Sequence, residues 1–154
     1  MLYYLSLGGN IGDTREIFRV AMEDISREIG EIQDCSSVII TPPWGFVAEN
    51  DFMNMALVVK SDMSPDDVLT KIWEIEKNGG RVRPQGVEGY SSRTLDIDII
   101  FIDDMVIDTP RLKVPHPLSH RRRFVLEPMC EIAPGYIHPV IVKSIKTLLD
   151  ECDE

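Results

Sequence analysis

The sequence predicts an α+β fold: a ferredoxin-like βαββαβ order, an antiparallel sheet with helices packed on one face, and a C-terminal extension. Three observations carry this. Apolar runs of strand length and helical patterns follow each other as strand, helix, strand, strand, helix, strand. Two segments carry helix-start chemistry, Asp13 with Glu16, and Ser64-Pro65-Asp66-Asp67. The chain has 154 residues, 44% hydrophobic and 27% charged, an ordinary composition for one globular domain spanning 1–154.

The elements follow in order. Leu2 to Leu7 forms a first strand, and "GGNIGD" turns the chain, with Gly8 and Gly9 read as turn residues. Asp13 caps a helix whose Ile17, Ala21, Ile25 and Ile29 recur at helical spacing as far as about Gly30. "SSVIIT" is a second strand, "PPWGFVAEND" a loop, and Phe52 to Val59 a third strand. Ser64 caps a second helix with an apolar face of Val68, Leu69, Ile72, Trp73 and Ile75, ended by Gly79-Gly80. A Gly, Pro and Ser-rich loop covers Pro84 to Ser92, and a fourth strand runs from Leu95 to Ile102. "DDMVID" reads as a short hairpin arm, Arg121 to Glu131 as a helix, and Lys143 to Asp150 as a final one.

The net charge of −10 argues against a nucleic-acid or anionic-membrane binder, which needs a basic footprint. Yet eight of the sixteen Lys and Arg fall between Arg81 and Arg123, with His116 and His120 among them, a pattern suited to a small polyanion plus a cation. Cys35, Cys130 and Cys152 are too scattered for a zinc set, and reduced cysteines point to a cytoplasmic protein. The opening "MLYYLSL" has no basic n-region and is too short for a signal peptide or membrane span.

The densest chemistry lies in "RTLDIDIIF". Asp96 and Asp98 are two apart on a strand, so they share a face, roughly 6–7 Å apart at Cα from a rise of about 3.3 Å per residue. Ile100 and Ile102 continue that face; Leu95, Ile97, Ile99 and Phe101 take the other. The pair fits either salt bridges to arginine or a hard cation such as Mg²⁺, which usually takes one or two carboxylates plus substrate phosphates. In "VPHPLSHRRR" a run of cations at a helix start opposes the macrodipole unless an anion is bound, and His116 between two prolines is a candidate phosphate donor. Asn54 puts an amide in an otherwise apolar strand, which fits either a backbone-satisfied side chain or recognition of a heterocycle edge beside the aromatic face of Phe52 or Trp44.

Taken together, "TPPWG", "FMNMA", "EKNGGRVR", "RTLDIDI", "VPHP" and "RRFVLEP" resemble the 6-hydroxymethyl-7,8-dihydropterin pyrophosphokinases of folate biosynthesis over nearly the whole chain. The resemblance implies a ferredoxin-like enzyme that moves a pyrophosphoryl group from ATP to the pterin hydroxymethyl oxygen, releasing AMP, with two Mg²⁺. It implies that Asp96 and Asp98 bind both ions. Thr41, Pro42, Trp44, Phe52, Asn54 and Phe124 would line the pterin pocket, with Phe52 and Phe124 sandwiching the ring. Glu76, Arg83, Arg93, Arg111, Lys113, His116 and Arg122 would contact ATP, and Arg83 and Arg93 would also act catalytically by neutralising the transferred group. It implies ATP and the pterin as partners, with no nucleic acid or membrane, and a monomer. The sequence departs from the family at "EGYSSR", where Tyr90 stands for a common Trp, and at Trp44, where Leu is common. Two rival readings share these motifs: another Mg²⁺-dependent nucleotide transferase, or a non-catalytic ligand-sensing module.

Overall fold

Two parities of apolar side chains run along the central strands, and each is buried on its own side of one sheet. The computed structural model describes residues 1–41, 51–79 and 94–154. Strand β1 (Leu2–Gly9) is central and pairs antiparallel with β4 (Phe52–Lys60) on one side and β5 (Asp96–Ile102) on the other. The outer edge of β4 is taken end to end by β2 (Glu31–Cys35) and β3 (Ile39–Thr41), so the order is β2-β4-β1-β5 with β3 beside β4.

On one face Leu5, Leu7, Leu57 and Ile97 meet Phe18, Ala21 and Ile25 of α1 (Thr14–Glu28) and Val68, Ile72 and Ile75 of α2 (Pro65–Asn78). Both helices start as their sequences dictate. Asp13 accepts from the Glu16 N–H and Ser64 from the Asp67 N–H, each satisfying an orphan donor of the first turn. Fully buried residues such as Phe18 and Ile72 contribute about 1.5–3 kcal/mol each relative to exposure.

The other face is covered as well, which corrects the expectation of helices on one face. Ala56, Ile100 and Phe101 pack against Val125, Leu126 and Met129 of α3 (Arg123–Ile132) and Ile145 and Leu148 of α4 (Ile145–Asp150). The C-terminal segment is therefore the second layer of the core. A two-stranded arm, β6 (Ile107–Asp108) with β7 (Lys113–Val114), follows β5, and a 3-10 turn at Ser119–Arg121 precedes α3, where one helix from Arg121 is predicted.

Four local differences have physical causes. The predicted "SSVIIT" strand shrinks to β3, and β2 comes before it in a stretch not predicted as strand. β2 starts directly after Gly30, where a Cβ would lie 2.1 Å from the Lys60 carbonyl oxygen, so only glycine permits the approach. Its residues are mostly exposed, which erases the alternation that marks a half-buried strand. Gly8 and Gly9 lie within β1 rather than in a turn. Trp73 is 49% exposed and sits outside the core. Finally, β5 carries a bulge at Ile100: Tyr4 pairs with Phe101 but Leu5 with Ile99. Past it the parity switches, so Phe101 joins Ile100 on the α3 face and Ile102 joins Ile97 and Ile99 on the other.

The α3 face also holds a pH-sensitive histidine. His138 is 4% exposed, its Nδ1 accepts from the Val140 and Ile141 N–H groups at 3.2 and 3.1 Å, and its ring meets those of Phe101 and His120. Burial first, and the His120 charge second, lower its pKa below 6.5. The unfolded chain therefore takes up a proton that the folded one refuses, so stability is complete above pH 6.5 and is lost as pH falls through the folded value. We expect a lower urea midpoint at pH 5.5 than at 7.5, and a smaller difference in His138→Asn, whose amide oxygen keeps an acceptor near the Nδ1 position. An identical difference in that variant would place the acid sensitivity elsewhere.

Candidate functional site

The site grows out of the sheet register. Gly8 pairs with Asn54 on one side and with Asp96 on the other, so the three form one cross-strand row. Two interstrand steps of about 4.8 Å set Asn54 and Asp96 roughly 10 Å apart at Cα. Asp98 lies in the next row on the same face, opposite Ser6, which pairs in turn with Ala56. Thr41 pairs with Phe52, and both share the parity of Asn54. This is the α3 face, and α3 enters it at Phe124, which packs at the edge of that core cluster. Pro128, four residues on, has no N–H to offer the Phe124 carbonyl.

The acids open into a cleft of about 300 Å³ whose lining includes Leu69, Trp73, Glu76, Asp96, Asp98, Arg111, Lys113 and His116. Glu76 is 4% exposed, and its Oε2 accepts from the Ile97 N–H at 2.8 Å. A buried carboxylate on α2 thus grips the backbone between the two aspartates. On the opposite wall the His116 N–H donates to the Ile100 carbonyl at 3.0 Å, tying the histidine to the bulge. Its Nδ1 accepts from the Leu118 N–H at 3.3 Å, which leaves the ring proton of the neutral form on Nε2. Burial lowers the His116 pKa, the Arg122 cation lowers it further, and Asp96 opposes both. The ring is neutral near pH 7 and presents an N–H donor.

The cations are held lightly. The Arg111 guanidinium lies over the Trp73 ring at 5.2 Å, 3.2 Å from the Thr70 hydroxyl and 3.7 Å from Asp66. Lys113 pairs with the exposed Asp108 carboxylate. Exposed pairs of this kind contribute less than about 1 kcal/mol, so a polyanion can recruit both cations at little cost. The "RRR" run is sorted by the fold. Arg121 is exposed, Arg123 reaches Glu127 and the Glu154 carbonyl, and the Arg122 guanidinium lies 5.6 Å from the centre of the Phe124 ring.

Of the residues picked out by sequence, Glu76, Asp96, Asp98, Arg111, Lys113 and His116 meet in this cleft, and Thr41, Phe52 and Asn54 line the adjoining sheet face. Pro42, Trp44, Arg83, Tyr90 and Arg93, and the 84–92 loop, lie outside the described residues. Sequence reasoning missed two neighbours. The helical spacing of Trp73 fits the apolar stripe and so predicts a core residue; Gly8 reads locally as a turn residue, although paired glycines closing an apolar strand also mark a place where something approaches the backbone. A larger depression of about 510 Å³ lies over α1 and β2, but its charges pair locally, Arg19 with Glu23 and Arg27 with Asp24.

The donor set suits a hard cation. Among the described residues no three His, Cys, Asp or Glu side chains converge to hold a metal alone. Two carboxylates on one strand face, beside cations placed for phosphate, match a Mg²⁺ that completes its shell with phosphate oxygens and water.

Comparison with known proteins gives the family. The family model for 7,8-dihydro-6-hydroxymethylpterin-pyrophosphokinase (HPPK) matches residues 4–134. The chain is 38% identical to the 2-amino-4-hydroxy-6-hydroxymethyldihydropteridine pyrophosphokinase of Aquifex aeolicus over 148 residues, covering 96% of this chain and 90% of that one. It is 33% identical to the protein of the same name from Porphyromonas gingivalis over 139 residues, 90% of this chain and 94% of that one. Among solved structures, wild-type Plasmodium falciparum HPPK-DHPS superposes on 97% of this chain with a TM-score of 0.80 at 17% identity. That likeness is one of fold, and the chain spans 44% of that longer protein. On the family model and these relatives, the chain belongs to the 7,8-dihydro-6-hydroxymethylpterin-pyrophosphokinase family.

Proposed function

We propose that the protein transfers the β,γ-pyrophosphoryl group of ATP to 6-hydroxymethyl-7,8-dihydropterin in folate biosynthesis. The pterin hydroxymethyl oxygen bonds to the β-phosphorus, the bond from that phosphorus to the α,β-bridging oxygen breaks, AMP departs with that oxygen, and the hydroxyl proton is released. The observation that carries this reading is the Asn54–Gly8–Asp96 row, which sets a heterocycle-reading amide and a cation-binding carboxylate side by side on one sheet face.

The roles follow from chemistry. Asn54 pairs with the polar edge of the pterin, and Phe52 and Phe124 supply apolar faces to its ring, with Thr41 at the rim and Pro42 and Trp44 completing the pocket. Asp96 and Asp98 would hold Mg²⁺, two ions in the family pattern, which when bound would supply positive charge to the polyphosphate. Arg111, Lys113, Arg122 and the His116 N–H grip phosphate oxygens, and Glu76 keeps the acid-bearing strand in place. Arg83 and Arg93 draw charge from the group in flight. Catalysis of this kind is mostly positioning and charge neutralisation, so no strong base is required. The βαββαβ order with a C-terminal second layer is the ferredoxin-like fold in this reading, and the enzyme works as a cytoplasmic monomer. No helix among the described residues is long and apolar enough to cross a membrane.

Incubation with Mg²⁺, ATP and hydroxymethyl-dihydropterin tests it. AMP should form in step with pterin diphosphate. ADP formation, or AMP formation indifferent to the pterin, would favour the other nucleotide transferase. ATP binding without metal dependence and without product would favour the sensing module.

A further inference from the structure

We infer that Gly8 is a positioning residue for pterin recognition, acting through the Asn54 amide; the inference rests on the pterin reading of Asn54. Gly8 lies within β1, paired on both sides, and it is not among the glycines with positive φ. Any L-residue could take its backbone, so the reason for glycine is space. A Cβ built there meets the Asn54 Nδ2 at 2.8 Å, and its next neighbour, the Met53 carbonyl oxygen, lies at 3.8 Å. The conflict is thus with the tip of one side chain, and the backbone around it has room.

That separates two consequences usually found together. A methyl group at position 8 is accommodated by rotating the Asn54 amide, so the sheet survives. The rotated amide no longer presents its donor and acceptor along the direction set by a bare neighbour.

Calorimetry on Gly8→Ala, Asn54→Ala and the double variant decides the point, with hydroxymethyl-dihydropterin and, separately, a non-hydrolysable ATP analogue with Mg²⁺. Gly8→Ala should weaken pterin binding by about tenfold or more, the scale of one misplaced buried hydrogen bond. It should leave analogue binding and the melting temperature near those of the parent. The double variant should bind pterin no worse than Asn54→Ala alone, because the methyl group acts through an amide already absent. Parent-like pterin binding in Gly8→Ala overturns the inference. So does loss of fold or of analogue binding, which would make the glycine structural, and so does a double variant in which the two losses add. Parent-like pterin binding in Asn54→Ala is a different failure: it removes the pterin reading of Asn54, and the inference falls with it.

Discussion

Asp96→Asn and Asp98→Asn each lower turnover by two or more powers of ten, a loss of roughly 3 kcal/mol or more of transition-state stabilisation. Both acids are half-buried on one face of an edge strand, facing a cleft with cations on its far wall. An amide oxygen is a far weaker ligand for Mg²⁺ than a carboxylate, and one position in a two-ligand set cannot be covered by the other. Folding should hold, because asparagine has nearly the shape of aspartate and both positions are half-buried at the edge of the sheet. AMP release at saturating substrates, with thermal melts of both variants, measures the two outcomes. Parent-like turnover in either variant removes that aspartate from the metal site. Lost turnover together with a collapsed melting temperature would instead mean that the acids support the strand.

Glu76→Ala lowers stability by about 1–3 kcal/mol, the cost of leaving the buried Ile97 N–H without its acceptor. Turnover falls as well, because that N–H belongs to the residue between the two aspartates and its loss loosens the start of β5. Glu76→Gln keeps an oxygen in place and should recover most of the stability. Urea midpoints for the three proteins test the ranking parent, Gln, Ala. A Glu76→Ala protein as stable as the parent would show that the contact contributes nothing to the fold.

The legible parts of this protein are those whose residues signal locally. Asp13 and Ser64 mark their helices because the capping oxygen and the helix it serves are adjacent in sequence. The acid pair could be placed on one strand face because a spacing of two carries its own geometry. What escaped depends on partners remote in the chain. β2 is polar, mostly exposed and made a strand by its pairing with β4, which no local pattern encodes. Trp73 has the spacing of a core residue, and only the fold places it at the cleft beside Arg111. Nothing near Gly8 announces that Asn54 will lie across from it. The covering of the second sheet face was missed for the same reason: α3 and α4 were visible as helices, but the face they pack on is set by Ala56, Ile100 and Phe101, from two distant strands.

The extra residue at Ile100 couples chemistry to core in a way that constrains how this strand can change. On its site side the strand has one parity, acids toward the cleft; beyond the bulge it has the other, with Phe101 facing α3 and α4. Deleting Ile100 closes the bulge and leaves both pairings, Leu5 with Ile99 and Tyr4 with Phe101, and both parities as they are. Deleting Ile97 instead puts the two aspartates on opposite faces. A paired insertion before Phe101 keeps both parities but slides the acids along Gly8 and Asn54, breaking the row. The strand's length is therefore fixed between the aspartates and free by one residue at the bulge, and length variants of this enzyme should fall there or outside the strand.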